Sequence, residues 1–196
     1  MSDTYRNLGA DDSALIGQII ANAFADDPVN LWTFNGTAAM RPAFTAMAKY
    51  LFLRHGFGHV SDSGLAGTLW LPPGATKNYG AKGNLALASA ILSHGGLKAL
   101  RRGMVLDANL MAKHPSCPHY YLFAIGVDPS LQGAGVGSTL MKMALQEVDS
   151  ARMPAFLENS KPRNTPFYER HGFRVTEEII PAHGCPPMWL MWRDAR

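Results

Sequence analysis

Gly133, Gly135 and Gly137 stand at alternate positions in the stretch Val127-Asp128-Pro129-Ser130-Leu131-Gln132-Gly133-Ala134-Gly135-Val136-Gly137-Ser138. With no Cβ at these positions a ligand can approach the backbone closely, and the N–H groups of a helix opening there point at it. The ligand such a backbone favours is an anion, above all a phosphate group. The flanks fit this chemistry. Tyr121 to Val127 is an apolar run that reads as a buried strand, and Leu140, Met143, Ala144 and Val148 mark one face of a helix. Strand, Pro-bearing turn, glycine loop and helix together predict a site for a phosphorylated cofactor.

A second chemical segment runs from Pro154 to Phe173 and holds Glu158, Asn159, Asn164, Tyr168 and Arg170. A phenol stays protonated at neutral pH and can donate that proton to a departing anion, which suits Tyr168 to general-acid work. Glu158 offers the complementary carboxylate, whose pKa burial would raise towards a useful value; held by backbone N–H groups instead, it would be structural. Asp26 and Asp27, in the loop after the first expected helix, are placed to attract a cationic substrate.

The elements that must position these residues follow from periodicity. Thr4 to Leu8 reads as a first strand. Asp11 or Asp12 caps a helix through Phe24 with Leu15, Ile16, Ile19, Ile20 and Ala23 on its buried face. Pro28 stops it, and Thr37 to His55 is a second helix. Strands near 58–61 and 65–71, joined by Asp62-Ser63-Gly64, precede a long helical insertion at about 80–115, interrupted at Gly95-Gly96. Then come a strand (119–127), a helix (135–150), a strand (154–158), a helix (164–171) and two last strands (173–180 and 186–193). An antiparallel start followed by a βαβα unit makes a mixed α/β sheet, with both helices of that unit opening on the edge where ligands sit.

Composition bounds the function classes. A chain of 196 residues suits one domain, and 47% hydrophobic with 17% charged residues describes a globular one. A net charge of +3, spread apart from Arg101-Arg102, is too weak for a nucleic-acid footprint and suits an anionic cofactor. Two cysteines, Cys117 and Cys185, give no disulfide framework and read as free thiols in the cytoplasm. No apolar run approaches the ~18 residues of a membrane span, so no membrane partner is expected. Cys117-Pro118-His119 and His183-Gly184-Cys185 fall short of a four-ligand structural metal site, so no metal is expected.

Together the two chemical segments resemble the GNAT superfamily of acyl-CoA-dependent N-acetyltransferases. Gln132-x-x-Gly135-x-Gly137 stands where that family has its pyrophosphate loop, and Phe167-Tyr168-Glu169-Arg170-x-Gly172-Phe173 where it has its Tyr-bearing helix and final hairpin. Phe156-Leu157-Glu158, Pro162-Arg163-Asn164 and Pro166-Phe167-Tyr168-Glu169-Arg170 are similar to the branch containing puromycin N-acetyltransferase. The resemblance covers roughly 1–30 and 119–193 and leaves 75–115 unmatched, where acceptor choice is expected to be decided.

The resemblance implies a mostly antiparallel sheet with a central parallel βαβ splay and flanking helices. It implies acetyl-CoA as co-substrate, bound by Gln132, Gly133, Gly135, Gly137 and Ser138, by Asn164 or Asn159, and by the backbone of Ile125 and Val127. Gly126 between those two is consistent with a bulge. It places the Tyr168 hydroxyl beside the sulfur of coenzyme A and Asp26 and Asp27 at the wall of the acceptor site. The expected reaction is direct attack by the primary amine of a small molecule in a ternary complex. Glu158 or a water chain is the candidate for the base, Asp26 and Asp27 would attract the cationic amine, and a homodimer is compatible with the sequence.

Two other classes compete. An acyl-CoA-binding module without catalysis would keep the loop, but retention of both Gln132 and Tyr168 argues for turnover. A dinucleotide-dependent oxidoreductase would use Gly133-x-Gly135 with Glu158 about twenty residues on, yet Ser138 occupies the third glycine position. Asp128 to Gln132 also separate strand from loop where that fingerprint turns at once.

Overall fold

The apolar runs assemble into one seven-stranded sheet in a computed structural model that describes residues 4–196. The strands are β1 (Tyr5–Asn7), β2 (His59–Ser61), β3 (Ala66–Leu71), β4 (Tyr120–Val127), β5 (Ala155–Asn159), β6 (Arg174–Ile179) and β7 (Met188–Arg193), in the order β1-β2-β3-β4-β5-β7-β6. Every neighbouring pair is antiparallel except β4 and β5. The expected mixed sheet with one parallel βαβ unit is therefore the observed one.

Helices cover both faces. On one side α1 (Ser13–Ala23) and α3 (Met40–Met47) pack on Leu69, Leu71, Tyr121, Ala124 and Phe156. The crossing is close because residue 17 is glycine: a Cβ there would lie 2.3 Å from Thr45 Oγ1 and 2.8 Å from the Thr45 backbone. On the other side α6 (Val136–Ser150) buries Leu140, Met141, Ala144, Leu145 and Val148 against Trp70, Leu122 and Leu157. At ~25 cal/mol per Å² of apolar surface removed from water, these two layers are the main source of stability.

Three local readings need correction. Pro28 does end α1, but it also starts a helix, α2 (Pro28–Phe34), as its N1 residue. Asp27 is the N-cap, its carboxylate accepting from the Asn30 N–H at 2.8 Å. The helix expected over 37–55 begins later, as α3, and continues through a π-helical turn (Ala48–Phe52) into a last turn, α4 (Leu53–His55). Asp12 does not cap α1: its carboxylate is held by Arg6, at 2.6 and 2.8 Å, and by the Gly9 N–H.

The long insertion is helical throughout as α5 (Gly80–Lys113), broken at Gly96, whose φ of 74° and ψ of −176° lie outside the helical region. It packs across α2 and α3. The remaining helix, α7 (Thr165–Arg170), is short and follows β5 directly.

One irregularity aims the site. Between Leu122 and Ala124 the register of β4 on β3 slips by a residue, so the bulge falls at Phe123 rather than at Gly126. Tyr121, Phe123 and Ala124 consequently all face α1 and α3, and the period-2 alternation restarts one residue out of phase. Ile125 then turns to the α6 face. Gly126 has a different role: a Cβ there would sit 3.1 Å from Ala23 Cβ, so the absence of one lets α1 lie on the sheet.

Candidate active site

The parallel ladder between β4 and β5 holds for three rungs, Tyr120–Ala155, Tyr121–Phe156 and Leu122–Leu157, and then opens. Beyond it β5 pairs with β7 alone, so the β5-facing edge of β4 from Phe123 to Val127 is left without a strand partner. This splay separates two cavities that lie on opposite faces of the sheet.

The first cavity, of about 360 Å³, is bounded by Ile125, Val127, the loop Leu131 to Ser138, and Lys161, Arg163, Asn164, Phe167, Tyr168 and Arg170. The loop is shaped locally. Asp128 accepts from the N–H and hydroxyl of Ser130, which closes the turn Pro129–Leu131 and holds the Asp128 carboxyl below its ordinary range. Gln132 Nε2 then donates to the Val127 carbonyl at 3.2 Å, tying the loop back to the strand end. Gly133 and Gly135 take φ of 82° and 83°, a left-handed backbone that favours glycine, and the space a Cβ would occupy at either is open. Gly135 precedes α6, whose first N–H groups have no intrahelical acceptor. With Lys161, Arg163 and Arg170 beside it, this cradle fits the pyrophosphate of a coenzyme.

Tyr168 is buried on the α6 side of the splay, its ring edge-on to Phe167 and Phe173. Its hydroxyl makes no hydrogen bond within the described residues, while its ring lines the first cavity. Burial first, and the negative charge of Asp27 second, push its pKa up, so the phenol keeps its proton. Asn159 and Asn164 separate cleanly. Asn159 is spent internally, donating to Thr165 Oγ1 at 3.0 Å and accepting from the Lys161 N–H. Asn164 precedes α7 without capping it through its side chain and lines the cavity.

Glu158 lies on the opposite face, at the first position of β5 beyond the paired rungs. Its side chain is 6% exposed, with His114 Nε2 3.0 Å from Oε1 and the Tyr121 hydroxyl donating to Oε2 at 2.6 Å. His114 caps the C-terminus of α5, and its ring stands edge-on to Tyr121 and Phe156. The His119 ring is 5.9 Å away, and burial lowers its pKa. Side chains rather than backbone N–H groups thus hold the Glu158 carboxylate.

Asp26 and Asp27 do not present free carboxylates. Lys161 and Arg163 both pair with Asp26, and the Lys161 contact above all holds its carboxyl below the ordinary range. Asp27 is fully buried, caps α2 and accepts from the Ser160 hydroxyl. Both therefore tie the first loop to the segment after β5, at the junction of the two cavities.

The second cavity, of about 530 Å³, lies on the Glu158 side under α5. Glu158, Tyr121, Phe123 and Ser160 form its inner end, and Phe24 lines both cavities. The segment without family resemblance supplies the roof, through residues between Lys77 and Leu110.

Four residues escaped sequence reasoning: His114, Lys161, Arg163 and the hydroxyl of Tyr121. His114 and Lys161 act across 44 and 135 residues of chain, and no local pattern announces such contacts.

Residues 109–189 match the family model described as an acetyltransferase (GNAT) domain. The whole fold is similar to a Corynebacterium glutamicum structure titled histone acetyltransferase HPA2 and related acetyltransferase, with TM-score 0.72 and 24% identity over 100% of this chain and 98% of that one. Arylalkylamine N-acetyltransferase 2 from Aedes aegypti superposes with TM-score 0.64 and 10% identity over 100% of both chains. PaiA N-acetyltransferase from Thermoplasma acidophilum, solved in complex with coenzyme A, gives TM-score 0.59 and 12% identity over 99% of both. The chain has the GNAT acetyltransferase fold, and the matched segment includes the glycine loop, Glu158 and Tyr168. Among the described residues no helix is long and apolar enough to cross a membrane.

Proposed function

We propose that the protein is an acetyl-CoA-dependent N-acetyltransferase acting on the primary amine of a small molecule by direct attack in a ternary complex. The observation that carries this reading is the pair of cavities flanking the β4–β5 splay, one shaped for a pyrophosphate and the other lined by a carboxylate. The family match over 109–189 and the resemblance of 154–173 to the puromycin branch support the donor and a small acceptor.

Gly133, Gly135, Gly137, Ser138 and Gln132 would hold the pyrophosphate, and the free edge of β4 at Ile125 and Val127 the arm that follows it, with Asn164 beside the latter. When bound, acetyl-CoA supplies a thioester whose carbonyl carbon accepts a nucleophile and whose sulfur leaves. Glu158 takes the proton that the attacking amine must lose, since an amine of pKa ~10.4 is mostly protonated near pH 7. His114 and Tyr121 fix that carboxylate and are positioning residues. Tyr168 gives its hydroxyl proton to the sulfur as the carbon–sulfur bond breaks. Asp26 and Asp27 act through Lys161, Arg163 and Ser160, holding the wall where the two substrates meet. The two unpaired cysteines, one exposed, fit a reducing compartment, and we place the reaction in the cytoplasm.

Calorimetry with acetyl-CoA, paired with a thiol-release assay over a panel of primary amines, tests the proposal. Micromolar binding with amine-dependent thiol release is expected. Binding without release from any amine would instead identify a silent acyl-CoA-binding module.

A further inference from the structure

The second cavity carries its own chemical specification. Phe24, Phe34, Phe44 and Phe123 wall it from below, and Leu87 and Ile91 of α5 close it from above. Three charged side chains line it: Lys77, Asp107 and Glu158. Lys77 and Asp107 pair with each other, and beside them Tyr79 is half-buried, its phenol pushed up by that burial and by Asp107. Glu158, held by His114 and Tyr121 but without a lysine or arginine partner among the described residues, is the carboxylate left to meet a cation. Asn30, Thr33, Asn84 and Ser160 add polar points to walls that are otherwise mostly phenyl and alkyl, and a volume of about 530 Å³ suits a small molecule.

We infer that the acceptor is a monoamine: one primary ammonium group on an apolar aryl or branched-alkyl body, with the nitrogen at Glu158 and the body under α5. The inference rests on the acetyl-transfer reading for its chemistry but on the cavity alone for its binding. A single ammonium matches the single lining carboxylate that has no lysine or arginine partner, and the hydrophobic effect drives the rest of the molecule inward. A polyamine or an aminoglycoside would bring further ammonium groups, each losing water against mostly apolar walls whose other carboxylate, Asp107, is already paired with Lys77. A lysine-bearing peptide would bring backbone N–H and C=O groups to the same walls, with the same deficit.

Gly103 gives a means of filling the cavity. It lies on α5 at the cavity wall, a Cβ there would meet only Thr33 Cγ2 at 3.8 Å, and leucine favours the helix over glycine. Calorimetry on the full chain should show 2-phenylethylamine binding, at least tenfold tighter than spermidine or a lysine-bearing tetrapeptide. Gly103→Leu, and Ala88→Leu as a second filling variant, should each raise the 2-phenylethylamine Kd at least tenfold and leave the acetyl-CoA Kd within twofold. Equal or tighter binding of spermidine or the peptide overturns the inference. So does an absence of 2-phenylethylamine binding, or a Kd unmoved by both substitutions. Loss of acetyl-CoA binding by the unsubstituted chain would overturn the transfer reading instead, and the amine titrations would still decide the class of ligand.

Discussion

Tyr121 donates its hydroxyl to Glu158 Oε2 across 2.6 Å, and that bond joins the last paired stretch of β4 and β5 to the first residue beyond it. The phenol is pushed well above its ordinary value, by burial first and by Glu158 second, so Tyr121 remains a donor at any working pH. With His114 on the other oxygen, Glu158 is fixed in direction and still has lone pairs for a substrate proton. Glu158→Gln should cut kcat about 100-fold while leaving acetyl-CoA affinity within twofold. His114→Ala should lower kcat about tenfold without raising the amine KM, as expected of a group that positions rather than binds. Steady-state kinetics with both substrates varied checks both, and a rise in KM alone would reassign His114 to the binding wall.

Tyr168→Phe removes one hydroxyl from a ring that is otherwise packed on Phe167 and Phe173, so the fold should be unchanged. Turnover should drop about 100-fold, with acetyl-CoA still bound. Full turnover in this variant would move the acid elsewhere.

Gly135→Ala places a Cβ where φ is 83° and where the ligand backbone cradle must stay open. Strain of about 1 kcal/mol and a blocked approach should together weaken acetyl-CoA binding more than tenfold. Amine binding in the second cavity should be unaffected, which separate titrations would show.

Arg193 is buried and spans three elements: it pairs bidentately with Asp149 at the end of α6, at 2.6 and 2.8 Å, and donates to the His171 carbonyl after α7. Asp149→Asn would leave the guanidinium buried without its counter-charge and should cost about 3 kcal/mol. Urea unfolding should report it as a lower midpoint at constant slope.

Stability should also depend on pH through His59. Burial lowers its pKa from the ordinary 6.5, and its Nδ1 is enclosed without a partner. The unfolded chain therefore takes up a proton below 6.5 that the folded chain resists, so stability is complete above that value and declines as pH falls towards the folded pKa. His119, lowered in the same direction, adds to the slope. Between about pH 7.5 and pH 5.5 the urea midpoint should fall, and His59→Phe should make the fall shallower.

How far the site could be read from sequence follows from the range of the interactions that build it. Gly133 and Gly135 were legible because a left-handed turn ahead of a helix has a local compositional signature. Tyr168, marked in the sequence by its motif, lines the first cavity. Pro28 is ambiguous in the sequence because a proline both ends one helix and begins the next, and the Asp27-Pro28 pair, an N-cap followed by N1, marks the second of these. Residue type points to a bulge at Gly126, whereas β3 pairing places it at Phe123, and pairing between strands is not written in either strand alone. Asp26 and Asp27 have the composition of a solvated loop; only the partners that the fold brings from 160–163 show that they are spent on structure.

The cavity linings divide the chain in a way that bears on its inheritance. The pyrophosphate cradle draws on residues from Ile125 onward, plus Ala23 and Phe24, while the roof over Glu158 is written between Lys77 and Leu110. Drift within residues 77–110 therefore alters the second cavity while most of the lining of the first stays fixed. Phe24, shared by both linings, is the residue at which such drift would meet resistance.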